Sequence, residues 1–286
     1  MSESQTLRGI RVVTLAPNLP GPVAAARLRD LGAEVHKVEP PAGDFLEMGA
    51  PAWYADLHRG MTIEKIDLKL PEGRATLDER LAAADVFLTS SRPSALERLG
   101  LGWERVHERF PQLVMVAIVG EYPPHAERAG HDLTYVAEFG LIVPPAMPRT
   151  LVADLAGAER AVSATLALLF ARTRGEGGSH AFVSLREAAE TFGLPLAHGL
   201  TAPGGRLSGA FPGYRSYATR DGWIAIAALE PHFWARMQHL LGTSDAAEFE
   251  AAFAERDSAY WTLWAAEHDM PLLAFGDVAV GAPERS

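Results

Sequence analysis

The chain has 286 residues, 48% of them apolar and 22% charged, with no cysteine and a formal net charge of −10. This length can bury a large core as one big domain or two smaller ones. Disulfides, thiolate metal sites and cysteine nucleophiles are excluded, and the acidic balance argues against broad nucleic-acid binding. An anionic ligand would need a local cluster of Lys and Arg rather than the overall field. The ten histidines show no paired spacing of the kind that holds a metal. Residues 1–6 lack the basic and apolar runs of an export signal. The longest apolar run, 161–171, is too short to span a bilayer. A cytoplasmic protein without membrane contact is therefore expected.

In chain order, 9–15 is β-branched and apolar like a buried strand. The turn 16–22 is rich in proline, and a helix is expected over 23–31, carrying Ala24-Ala25-Ala26. A second strand is expected over 33–39, so the opening reads as a right-handed βαβ unit. The turn after its first strand lies where open α/β sheets bind ligands. There Pro20-Gly21 would let the backbone approach a ligand closely. No GxGxxG is present, so a dinucleotide site has no support. Residues 42–60 read as a loop, 63–68 as a strand, 71–84 as a helix and 85–89 as a buried strand. Helical segments over 93–99 and 103–110 precede 113–120, an unbroken apolar run of the kind a parallel sheet buries on both faces. A long helix is expected over 159–173, a strand over 181–185 and a helix over 186–192. Glycine-rich 201–205 marks a boundary or a mobile loop. A hairpin over 214–229 should turn at Asp221-Gly222, followed by helices over 230–241, 244–256 and 257–268. The expected fold is α/β: a Rossmann-like parallel sheet in a large domain, 1–200, a smaller α+β domain, 201–265, and a short C-terminal return, 266–286.

Gly130-His131-Asp132-Leu133-Thr134-Tyr135 and Ala153-Asp154-Leu155-Ala156-Gly157-Ala158 hold the chemistry-bearing residues. A histidine and an aspartate each stand beside small residues, just before the most apolar helix. A ligand can approach the backbone closely at such a place. The plainer alternative makes Asp154 an ordinary helix cap and His131 a surface histidine.

Several blocks resemble one family in order. They are Leu7 to Val13, Pro20-Gly21-Pro22, Leu31 to Pro41, Asp67-Leu68-Lys69 and Arg92-Pro93-Ser94-Ala95-Leu96-Glu97-Arg98-Leu99-Gly100. Gly130-His131-Asp132, Ala153-Asp154-Leu155, Val183 to Ala188 and Tyr214 to Trp234 continue the pattern. Over roughly residues 7–240 the chain resembles the family III CoA-transferases, which include formyl-CoA and carnitine CoA-transferases and α-methylacyl-CoA racemase. The Gly-His-Asp-Leu-Thr-Tyr block is similar to the racemase branch. The resemblance implies acyl-CoA or CoA as substrate, no permanently bound cofactor, and a homodimer with intertwined chains. It makes Asp154 the catalytic carboxylate, His131 its partner base and Glu230 a supporting acid. Candidate CoA contacts are Lys37, Leu68, Lys69, Ser91, Arg92, Arg98, Gly130, Leu133 and Tyr135.

Two reactions suit these residues. Racemisation of a 2-substituted acyl-CoA needs two groups poised near neutral pH on opposite faces of the thioester α-carbon, plus a donor for the enolate oxygen. His131 and Asp154 form such a pair, and a backbone N–H near Ala156-Gly157 would serve the enolate. CoA transfer between carboxylic acids needs Asp154 alone, through an acyl-aspartyl anhydride and an enzyme–CoA thioester. His131 favours racemisation. A paralogue that binds CoA without catalysis is the third reading, because Leu155-Ala156-Gly157-Ala158 stands where the family carries a glycine run.

Overall fold

Six parallel strands build the N-terminal part of the molecule, a computed structural model that describes residues 5–276. They are β1 (Arg11–Thr14), β2 (Glu34–Glu39), β3 (Thr62–Lys65), β4 (Val86–Thr89), β5 (Val114–Val119) and β6 (His180–Ser184), in the spatial order β3-β2-β1-β4-β5-β6. The strand order reverses between β1 and β4, which opens a crevice at their carboxyl ends. Alternate residues of the strands enter different cores. Val12, Val86, Leu88, Val114, Val116 and Ile118 pack with Ala24, Ala25 and Leu28 of α1 (Pro20–Asp30) on one face. Val13, Phe87 and Met115 pack with Leu77 and Leu81 on the other. Every residue of β4 and β5 is buried, so these central strands are apolar on both sides.

The β2–β3 connection contains two short helices, α2 (Phe45–Gly49) and α3 (Pro51–His58). Sequence reading takes 42–60 as loop, and this is corrected. Asp44 caps α2 through the Leu46 N–H, and Pro51 opens α3. Helices α4 (Pro71–Ala82), α5 (Pro93–Leu99) and α6 (Trp103–Arg109) follow as expected. After β5 come α7 (Asp132–Glu138) and the 22-residue α8 (Val152–Thr173). The sequence reading starts this last helix at 159, whereas it begins seven residues earlier, because Asp132 supplies the N-terminal acceptor that local sequence lacks.

Gly21 lies inside α1 and is buried. A Cβ there would stand 2.2 Å from Ala16 Cβ and 2.9 Å from the Ala16 carbonyl oxygen. The glycine therefore serves helix-to-loop packing, not ligand approach as the sequence suggests. Gly21→Ala is expected to destabilise the fold by about 1–3 kcal/mol, the cost of forcing a methyl group against backbone, measured by urea denaturation.

The chain divides into two units, 1–192 and 193–286, with the division inside α9 (Leu185–Ala197) rather than at residue 200. The second unit holds an antiparallel sheet of β7 (Tyr214–Ala218), β8 (Trp223–Ala227) and β9 (Leu272–Ala274). Helices α10 (Pro231–Leu241), α11 (Ala246–Ala254) and α12 (Ser258–Glu267) bury Met237, Phe249, Phe253 and Trp261 with Tyr217, Ile224 and Ile226 of the sheet. β9 is read from sequence as loop; it pairs with β8 and so joins the small sheet. The rest of the expected return, beyond 276, lies outside the described residues.

Candidate active site

The crevice at the strand ends is a cleft of about 550 Å³, built by the first unit. Pro17, Asn18, Leu19 and Pro20 follow β1, Ser90, Ser91 and Arg92 follow β4, Gly120 follows β5, and Leu185 follows β6. Phe45, Leu46, Arg128, Gly130, His131, Tyr135, Leu151 and Asp154 complete its walls. Apolar floor, a few convergent polar groups and two cations suit a thioester with an anionic nucleotide tail.

Asp154 is the third residue of α8 and its helix has no side-chain cap at Leu151. Asp132 replaces that cap from 22 residues away. Its Oδ1 accepts the N–H of Ala153 at 2.6 Å and of Asp154 at 3.1 Å, satisfying two of the orphan donors that every helix start carries. Asp154 is thus not a cap: its backbone is held by another carboxylate while its own side chain lines the cleft. Burial first, and the Asp132 charge second, push the Asp154 carboxyl up to about 6, with the nearby His131 pulling the other way. A carboxyl of that strength is half ionised at about pH 6 and mostly ionised at neutral pH, close to the range in which a general base works best.

His131 is the N-cap residue of α7 and lies exposed at the cleft wall. Its carbonyl accepts from the Thr134 hydroxyl at 2.7 Å, and its N–H donates back to that oxygen at 3.1 Å. The Tyr135 phenol wedges between Gly120 and Gly130. A Cβ at either glycine would come within 2.3 Å of the Tyr135 oxygen, so side-chain-free backbone is required at both. Burial, with Glu121 and Asp154 adding to it, holds the phenol pKa above its ordinary value, so Tyr135 remains a neutral hydrogen-bond donor.

Six of the residues singled out from sequence meet in this cleft: Ser91, Arg92, Gly130, His131, Tyr135 and Asp154. Five others of the first unit do not line it. Lys37 is sealed in the interior, and its ammonium reaches Asp44 at 2.5 Å, His58 at 2.8 Å and Glu39 at 3.0 Å. All three of its protons are engaged, so none is left for a phosphate, and its assignment as a CoA contact is corrected. Leu68 packs against the core beneath the second sheet face, and Lys69 is exposed after β3. Arg98 is exposed at the end of α5, near Glu127, as is Arg92 at its start. Leu133 is turned outward, 42% exposed. Glu230 belongs to the second unit, where it is the N-cap residue of α10. The enolate donor expected near Ala156-Gly157 is also corrected. Both amides lie inside α8 and are spent on the helix ladder, while Gly157 gives room to Leu185, whose Cδ2 would be 2.2 Å from an added Cβ.

Sequence reasoning misses Asp132 and Arg128. Asp132 stands in the quoted motif, yet nothing local shows its carboxylate turning to a helix 21 residues on. Arg128 is the second cation of the cleft and pairs with Glu121 at 3.5 Å. Among the described residues the one group with metal-like spacing is Glu39, Asp44 and His58, and the Lys37 ammonium stands among them.

A doubly wound sheet carrying an acid and a histidine in its switch-point crevice is the architecture of a small-molecule site. The CoA-transferase family III profile matches residues 7–272, and the chain belongs to that family. It is 29% identical over 290 residues to the probable fatty acyl-CoA transferase Rv3272 of Mycobacterium tuberculosis, covering 89% of this chain and 73% of that one. To the alpha-methylacyl-CoA racemase of Mus musculus it is 33% identical over 273 residues, covering 89% of this chain and 68% of the other. The cinnamoyl-CoA:phenyllactate CoA-transferase of Clostridium sporogenes is 31% identical over 267 residues, of which the match covers 83% here and 65% there. The chain therefore spans about two thirds to three quarters of the length of these relatives. Crystal structures of Rv3272 and of a CAIB/BAIF family protein from Brucella suis each superpose with a TM-score of 0.82 at 26% identity. They cover 95% of this chain and 84% of theirs. Among the described residues no helix is long and apolar enough to cross a membrane.

Proposed function

We propose that the chain processes an acyl-CoA by moving the proton on the carbon next to the thioester, interconverting the two configurations of a 2-substituted acyl group. The observation that carries this reading is the placement of His131 and Asp154 in one cleft, with the Asp154 carboxyl raised to about 6. In this mechanism one of the two takes the α-proton, the thioester carbonyl carries the charge as an enolate, and the conjugate acid of the other returns a proton to the opposite face. Tyr135, neutral and only 5% exposed, is the hydroxyl in the cleft suited to that enolate oxygen. Arg92 and Arg128, with the Ser91 hydroxyl, are the groups proposed for the phosphates of CoA. CoA is substrate here and not a resident cofactor.

CoA transfer through an Asp154 anhydride is the second reading, favoured by the transferase relatives. Two assays separate the readings. Racemisation predicts washout of α-deuterium from a 2-methylacyl-CoA into solvent, falling on the order of 10²–10⁴-fold in His131→Ala. Transfer predicts no washout, a hydroxylamine-sensitive adduct on Asp154, and tolerance of His131→Ala. A chain that binds CoA but turns over no thioester would be a non-catalytic paralogue.

A further inference from the structure

The cluster around Lys37 is wired through every polar side-chain atom but one, Glu39 Oε2, which has no partner among the described residues. Lys37 is 1% exposed, and each ammonium proton has its own acceptor. His58 Nδ1 donates to the Tyr54 carbonyl at 2.7 Å, which leaves Nε2 as the acceptor facing Lys37. The Tyr54 hydroxyl donates to Glu39 Oε1 at 2.7 Å. Burial and the Lys37 charge lower the His58 pKa, against the Tyr54 carbonyl, so the ring is neutral as this wiring demands.

The outward end of the cluster is Asp44. While its Oδ2 holds Lys37, its Oδ1 accepts the Asn18 N–H at 3.0 Å and the Leu46 N–H at 2.9 Å. Asn18 belongs to the loop after β1 and adopts φ +67°, a left-handed conformation that asparagine tolerates better than most residues with a Cβ. Leu46 is the second residue of α2, after Phe45. Asn18, Phe45 and Leu46 all line the cleft. One buried carboxylate therefore joins two stretches of cleft wall from different loops. The buried Lys37 side chain faces it at 2.5 Å and compensates its burial.

We propose that Lys37 is a positioning residue for ligand binding: through Asp44 it sets the spacing between the Asn18 loop and α2, and so the width of the cleft that takes the CoA thioester. The inference rests on the acyl-CoA reading above. Lys37 and Asp44 touch no ligand in this scheme, and their effect reaches the cleft through two backbone N–H groups.

CoA itself is the probe, titrated by calorimetry, so the result does not depend on which reaction the enzyme performs. Lys37→Met and Asp44→Asn are each expected to weaken CoA binding at least about tenfold. The double variant should be no worse than the single ones, since both break one connection. The chain has no cysteine, so Lys37→Cys carries a single thiol. In denaturant its thiolate displaces bromide from 2-bromoethylamine, giving a thioether analogue of lysine, and refolding then restores CoA affinity. Variants that fold and bind CoA as tightly as the parent, with only a lowered Tm, overturn the inference. So does additivity in the double variant. Failure of the parent chain itself to bind CoA instead overturns the acyl-CoA reading. Should the variants not fold, hydrogen exchange on the parent decides. The Asn18 amide, in a loop, should be protected through Asp44, and exchange there as fast as in an open loop overturns the inference.

Discussion

Replacing Asp154 with alanine is expected to lower kcat on any accepted acyl-CoA on the order of 10²–10⁴-fold while leaving CoA affinity near that of the parent. The expectation holds for proton transfer and for anhydride formation alike, because both place this carboxylate on the reacting atoms. The parent should gain activity as pH rises through about 6, where the carboxyl ionises. Stability should move the opposite way. In the folded chain this carboxyl keeps its proton to a higher pH than in the unfolded chain, so over the interval from 3.8 to about 6 the native state binds more protons. Folding free energy contributed by the neutral acid is present below 3.8 and is lost as pH climbs through about 6. Asp154→Asn, which cannot ionise, should therefore be at least as stable as the parent at pH 8 and nearly inactive, the trade expected of a residue kept for chemistry. Steady-state kinetics and urea denaturation at pH 5 and 8 check both halves. Turnover by Asp154→Asn at the parental rate would remove Asp154 from the mechanism.

Asp132→Ala is expected to produce the second large effect, on structure and chemistry together. It strips the acceptor from the first turn of α8, a loss of about 1–2 kcal/mol where a helix cap is removed. It also removes the like charge that helps raise Asp154, so the acid limb of the kcat/KM profile should shift below 6. Asp132→Asn separates the two roles. Its amide oxygen still accepts the Ala153 and Asp154 N–H groups, so stability should largely return, while the profile stays shifted because the charge is gone. Identical pH profiles in parent and Asp132→Asn would mean that burial alone sets the strength of Asp154.

The parallel sheet was legible because strands buried on both faces read as continuous apolar runs. Val114 to Val119 is the plainest, and all six of its residues are indeed buried. Helices with strong local signals were legible for the same kind of reason: α5 begins at Pro93 and stops before Gly100, whose φ of +71° suits a glycine. Segments without local periodicity were not. Helices α2 and α3 are five and eight residues long, too short to show a face, and β9 has three residues and takes its identity from pairing with β8. The cations divide similarly. Lys37 and Arg92 look alike in a sequence, yet one is enclosed by two carboxylates and an imidazole and the other stands at the cleft.

By itself, then, the order of residues determined the sheet, the family and the two motifs that carry His131 and Asp154, because each rests on patterns a few residues long. Tertiary structure alone decided that Asp132 holds the start of the Asp154 helix, that Asp154 is a weak acid, and that Lys37 faces inward. Hydrogen bonding and desolvation depend on which groups distant in the chain come within about 3 Å of one another, and no local pattern encodes that.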